Sequence, residues 1–362
     1  KRGGVMVGKL GGGASRLLRS LLILCIVGMI GFGAGWLTAR EIKPTGIEET
    51  SEIQQPTTTR TLRVFAIFAT PIEEPWDNVI HQALLKAEKE LNIEYEWSDN
   101  NGYGAEFERA LREAASRGYD IIFGDAFGNE EIVRRVAIDY PKTYFVFGSA
   151  LGPMEPNVAV FDDWIHEPAY LSGMVAGKMT KTNVLGVVAG YPVEEVNRIV
   201  NAFKMGVKKT NPNAKVKVAF INSWFDPVKA KEYALAMIAE GADILYAERA
   251  GVIEAAKEKG VYAIGNMLDQ YEEGPDTVIT SVVWDMWPLV RYVITSVRNG
   301  NFVAMDLGEW TMMAKGGARL APFRNFEDKV PQDVKQEINE ITEKIKMGLY
   351  RVPIDENMPT SD

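Results

Sequence analysis

Aromatic rings and carboxylates recur side by side in this chain, a pairing that suits holding a flat polar molecule. Trp76, Asp77 and Asn78 adjoin in EEPWDNVIH, and Asp125 and Phe127 lie two apart in FGDAFGNEE. Trp224 and Phe225 precede Asp226 in NSWFDP, Asp269 closes GNMLD, and Trp284 precedes Asp285 in VVWDMW. LYAERAG adds Glu248 and Arg249. Two rings can sandwich a planar heterocycle, each stack contributing about 1–3 kcal/mol. An ionised carboxylate only accepts hydrogen bonds, so it matches hydroxyls and exocyclic amines. A nucleoside offers both parts. A sugar phosphate would instead require clustered Arg and Lys or a glycine-rich cradle. The GKLGGGAS run at residues 8–15 follows no strand, so it is no P-loop. Singly, each residue has a plainer role: Asp77 and Asp226 are good helix caps, Trp76 a staple, and Glu167 a dipole partner. Recurrence at successive strand ends is what points to a ligand.

Catalytic chemistry finds little support. There are two histidines, His81 and His166, and neither a His-Glu-x-x-His nor a Gly-x-Ser-x-Gly pattern. The single cysteine, Cys25, lies in an apolar run and rules out an internal disulfide. Asp162 and Asp163 are adjacent, and neighbours on a strand point opposite ways. No catalytic residue, metal or cofactor is expected; nucleoside hydrolysis by strand-end carboxylates is the enzyme alternative.

The elements that must position these residues alternate between strand and helix from Thr61 onward. Apolar runs such as TLRVFAIFAT, DIIFGDAF and VKVAFI have strand length, and segments such as WDNVIHQALLKAEKEL repeat apolar residues on one face. Asp226-Pro227 reads as a helix cap followed by proline at the first helical position. Trp224 and Phe225 therefore sit in a strand-to-helix loop at the carboxyl end of a strand, where open α/β sheets bind ligands. The alternation predicts an α/β fold with two doubly wound parallel-sheet lobes. The first lobe is expected over 61–162, completed by about 283–308 and part of the C-terminal tail. The second is expected over 163–282, completed by part of 309–362. Lobes joined by several crossing strands form a hinge and close on ligands between them.

The chain has 362 residues and a formal charge of −9. Residues 1–40 carry six basic side chains and no acid, leaving 34 basic against 49 acidic in the remainder. So acidic a domain would repel phosphates, which argues against nucleic acid as a partner. Leu21 to Leu37 is an uncharged apolar stretch preceded by basic residues. It predicts a membrane anchor within 1–40, with the folded part outside the cell, rather than a cleaved signal segment. Residues 41–60, rich in Thr, Glu and Pro, read as a flexible tether.

YLSGMVAGKMTKTNVLGVVAG, NAFKMGVKKTNPNAKVKV, NSWFDPVKAKEYALAMIAEGAD and GVYAIGNMLDQ resemble the basic membrane protein (BMP) family. These are substrate-binding proteins of ABC transporters, related to the purine nucleoside receptor A lipoproteins. The resemblance runs from about Arg63 to Val352. It implies a type I periplasmic-binding-protein fold with two lobes joined by a three-stranded hinge. It further implies a purine nucleoside sandwiched between Trp76 and Trp224, with Phe225 as the second choice for the latter. Asp77 and Asp269 match the polar contacts. Where nucleoside binders often carry the first acid of a Gly-x-Asp-x-Asp loop, Met267 stands, and Trp284 replaces a lysine found in some members. The implied partners are a small-molecule ligand, an ABC permease and its cytoplasmic ATPase, the chain itself being a monomer. A sensor ectodomain for a free purine base or another planar heterocycle is the alternative.

Overall fold

The computed structural model describes residues 60–149 and 152–362. The expected anchor and nearly all of the expected tether lie outside the described residues. Among the described residues, no helix is long and apolar enough to cross a membrane.

The first sheet is built from β1 (Leu62–Ile67), β2 (Ile93–Ser98), β3 (Ile121–Asp125), β4 (Tyr144–Gly148) and β5 (Val158–Phe161). Its order is β2-β1-β3-β4-β5, and every pairing is parallel. Between the strands run α1 (Pro75–Glu90), α2 (Ala105–Ser116) and α3 (Glu130–Asp139). Phe107 and Leu111 of α2 and Val133 and Val136 of α3 cover one face, over Phe65, Ile67 and Ile122. Val79, Ile80 and Leu84 of α1 belong with Val64 and Ala66 on the other. Strands covered on both faces explain the continuous apolar runs that the sequence shows.

The second sheet contains β6 (Val184–Ala189), β7 (Lys215–Phe220), β8 (Ile244–Ala247), β9 (Tyr262–Met267), β10 (Val278–Trp284) and β11 (Ala318–Leu320). Its order is β11-β10-β9-β8-β6-β7, with only the short β11 antiparallel. The helices of this part are α4 (His166–Met179), α5 (Glu194–Thr210), α6 (Pro227–Ala239), α7 (Val252–Lys259) and α9 (Gln332–Lys346). The α4–α5 crossing is close because it uses glycine: a Cβ on Gly206 would lie 2.0 Å from the Tyr170 carbonyl oxygen, and one on Gly173 2.1 Å from that of Phe203.

Three segments connect the two sheets. The chain passes from β5 into α4, and from β10 into α8 (Trp287–Arg298), which packs on α1. It then returns past Asp306, which bridges to Val160 at the edge of the first sheet, on its way to β11. The architecture is two mostly parallel sheets covered by helices, as the alternation of elements predicts, and it agrees with the periplasmic-binding-protein type that the family resemblance implies. Sequence periodicity misses the short β11 and the 3-10 turns around it, which are too brief to show a pattern.

Candidate functional site

The carboxyl ends of the two sets of strands flank a narrow cleft, part of it open to solvent. Thr70, Glu74, Phe127 and Ser149 line it from loops following first-sheet strands, together with Asp125 at the end of β3 and Trp76 in the first turn of α1. Glu195, Trp224 and Arg249 line it from the other side.

Local grammar explains these placements. Asp226 caps α6, its carboxylate accepting from the Lys229 amide at 3.0 Å, and this fixes the loop that carries Trp224. Trp224 meets Phe127 edge to face with centroids 5.0 Å apart, and leans on Tyr191 at 4.8 Å. The first loop departs from expectation. Its helix cap is Glu74, immediately before Pro75, and not Asp77; Glu74 Oε2 accepts from the amides of Trp76 at 2.8 Å and Asp77 at 3.1 Å. A longer carboxylate can fold back onto its own helix start, which frees Asp77 to turn inward and accept from the Thr70 hydroxyl.

Of the predicted ligand contacts, Trp76, Asp125, Phe127 and Trp224 come together as cleft walls. Asp77, Asn78, Phe225, Asp269 and Trp284 are not part of that lining. Asp77 is buried, and one of its oxygens has no partner. The Asn78 amide donates to the Ile72 carbonyl at 2.9 Å and so ties the loop. Phe225 is half-buried beside Trp224 in the chain. Asp269 accepts from both Arg324 Nη atoms, at 2.9 and 2.5 Å, and that guanidinium holds its carboxyl below the ordinary value. Trp284 is buried behind Trp76, with ring centroids 5.0 Å apart.

Thr70, Glu74, Ser149 and Glu195 escape sequence reading, and Arg249 is recognised there only as a strand-end residue. Glu-Pro before a helix was the available signal for Glu74. Arg249 is a cation following the apolar run ILYA. It is only 4% exposed, and its guanidinium reaches Glu248 at 2.6 Å and Glu74 at 3.0 Å. Burial works against that charge, but the two carboxylates outweigh it and raise the Arg249 pKa.

The cleft floor is acidic. Burial pushes Asp125 up to about 7, although the Phe127 amide, donating to it at 2.9 Å, pulls the other way. Glu195 is also raised well above the carboxylate range, by burial and then by the charge of Asp162. Ser149 donates to Glu195 at 3.3 Å across the cleft. Asp162 and Asp163 lie just beyond β5, not on it, so they do not diverge as strand neighbours would. Both meet Arg198, at 2.6 and 3.3 Å, and its guanidinium lies 4.1 Å from the Trp164 ring. Asp162, Asp163 and Glu195 offer oxygens within 4.8 Å of one another and are the described residues that could hold a metal ion. Arg198 already supplies a cation there. The histidines are structural: His81 pairs with the Tyr95 hydroxyl at 2.9 Å, and burial pushes His166 down to about 4. Aromatic walls over buried carboxyls can hold a flat ring while accepting hydrogen bonds from its rim.

Comparison with known proteins bears on this arrangement. Residues 64–355 match the family described as Bmp, ABC transporter substrate-binding protein PnrA-like. A purine-binding protein of Brucella abortus is 31% identical over 271 residues, 73% of this chain and 75% of the relative. A Haloferax volcanii protein named as a candidate ABC transporter glucose-binding protein is 29% identical over 83% of this chain and 76% of its own length. A solved ABC transporter solute-binding protein from Aeropyrum pernix superposes with a TM-score of 0.70 at 20% identity, covering 81% of this chain and 94% of its own. That likeness establishes the fold alone.

Proposed function

This chain belongs to the Bmp family of ABC transporter substrate-binding proteins, and on that premise we propose that it captures a purine nucleoside outside the cell. Family members bind small molecules for a transporter's permease and ATPase; they are not enzymes. The observation that carries the ligand reading is the meeting of Trp76, Phe127 and Trp224 with Asp125 and Glu195 in one cleft. The purine ring lies between Trp76 and Trp224 and displaces the edge of Phe127. Carboxyls take the exocyclic amine and ring N–H groups. The chain, a monomer anchored through its N-terminal apolar segment, hands the nucleoside to the permease.

Titration calorimetry with adenosine and guanosine tests this. Trp76→Ala and Trp224→Ala should each weaken binding by about 1–3 kcal/mol, roughly 5- to 150-fold. Unchanged affinity in both variants would remove the sandwich. A second reading, a free purine base, draws on Asp269, whose carboxylate is already taken by Arg324 and is therefore not free for a ribose. The name of the Brucella relative agrees with that reading as well.

A further inference from the structure

The backbones of the two tryptophans of the proposed sandwich are joined by an unbroken line of hydrogen bonds. The Trp76 amide donates to Glu74 Oε2 at 2.8 Å, and Glu74 Oε1 accepts from Arg249 Nη1 at 3.0 Å. The same Nη1 donates to the Trp224 carbonyl at 2.9 Å. Arg249 Nε and Nη2 are held by Glu248, at 2.9 and 2.6 Å, and Glu248 is in turn fixed by the Gly190 amide at 2.8 Å. The guanidinium carbon is 5.3 Å from the Trp224 ring centre.

We propose that Glu74 and Arg249 are positioning residues of the ligand site, their ion pair across the cleft setting the separation of the Trp76 and Trp224 walls. This rests on the reading of those indoles as ligand walls. Arg249 is a poor direct ligand contact, because Glu74, Glu248 and the Trp224 carbonyl leave it at most one uncommitted N–H of five. Glu74 stands before α1 on the first-sheet side, whereas Arg249 follows β8 on the second-sheet side. When the halves part, Glu74 keeps its helix amides and Arg249 keeps Glu248. Of the bonds these two residues make to each other and to their neighbours, the Glu74–Arg249 link is the one lost with the Ser149–Glu195 bond and the Phe127–Trp224 contact, so its contribution belongs to the closed form and governs release of the bound ring.

The experiment is stopped-flow binding of adenosine, guanosine and adenine to the full chain, wild type against Glu74→Gln, Arg249→Gln, Arg249→Lys and the Glu74→Gln/Arg249→Gln double variant. Breaking one partner of a buried charge pair acts on dissociation, so Glu74→Gln should raise the off-rate about 30-fold or more. The on-rate should change by less than about tenfold. The double variant should release no faster than the worse single variant, and Arg249→Lys, with its charge but without its fork, should fall between. A merely structural role would lower the melting temperature and leave the off-rate of the folded fraction unchanged, and that result overturns the proposal, as does additivity in the double variant. Should Arg249→Gln fail to fold, Glu74→Gln decides alone, since its amide oxygen can still cap α1. If Trp224→Ala weakens binding but Glu74→Gln does not, positioning falls and the sandwich stands. If wild type binds none of the three probes, the ligand reading falls and takes positioning with it.

Discussion

Asp125→Asn should stabilise the protein at pH 8 and leave it nearly unchanged below pH 4. Asp125 ends β3 at the cleft, and burial raises its carboxyl from an ordinary 3.8 to about 7. As pH rises from 4 to 7, the unfolded chain ionises this group while the folded protein retains the proton. The favourable contribution is complete below the unfolded value and is lost as pH climbs through the folded one. The two values set a ceiling of about 4 kcal/mol. Asp125 is partly open to the cleft, and solvent there reduces the figure to about 2 kcal/mol. With a urea slope of about 3 kcal/mol per molar, the variant's midpoint at pH 8 should exceed wild type by about 0.7 M. Asparagine keeps an oxygen for the Phe127 amide, so the local turn survives. Asp163 is raised by burial too and tilts both proteins alike, whereas Glu195 and Asp77 are pushed up by burial and in part by the Asp125 charge, so their relief in the variant adds to the difference in the same direction. Urea unfolding by circular dichroism at pH 4, 6 and 8, without ligand, provides the measurement. Parallel stability curves for wild type and Asp125→Asn would show that the carboxyl ionises as freely as in water, and the buried acidic floor would be refuted.

Asp269→Ala separates the two ligand readings. If a ribose draws Asp269 away from Arg324, calorimetry should show adenosine weakened about tenfold or more, the loss of a charge-assisted hydrogen bond, with adenine unaffected; equal affinities in variant and wild type favour the free base. The apolar segment at 21–37 predicts that the full chain sediments with membranes and that deleting residues 1–40 releases it; a full chain that stays in the soluble fraction contradicts the anchor.

What was legible in the sequence followed from periodicity and punctuation. Strands such as Ile121–Asp125 announce themselves because a parallel strand covered on both faces must be apolar throughout. The Asp226-Pro227 cap predicted the start of α6 and with it the loop that holds Trp224. The cleft was harder to read because its polar residues are chosen by three-dimensional pairing. Asp77 and Glu74 were equally good acids near a helix start, and only the fold shows that Glu74 reaches back to the amides while Asp77 turns to Thr70. Asp269 carries the spacing that the family resemblance suggests, but its partner Arg324 lies 55 positions away, beyond any local pattern. Ser149 and Glu195 meet across 46 positions for the same reason.

The charges of the cleft also explain how a binding protein can be both shut and releasable. A buried ion pair is a weak source of stability, since taking two charges from water costs several kcal/mol each. Glu74 and Arg249 would bear that cost only in the closed form; once the halves part, water returns to both and their remaining partners, the α1 amides and Glu248, stay in place. On the proposal made above, closure would be nearly balanced without a ligand, and a ring inserted between Trp76 and Trp224 would need to contribute only one or two stacks to tip it. A cleft sealed by apolar contacts alone would lack that balance, because its burial would favour the closed form whether or not a ring was present.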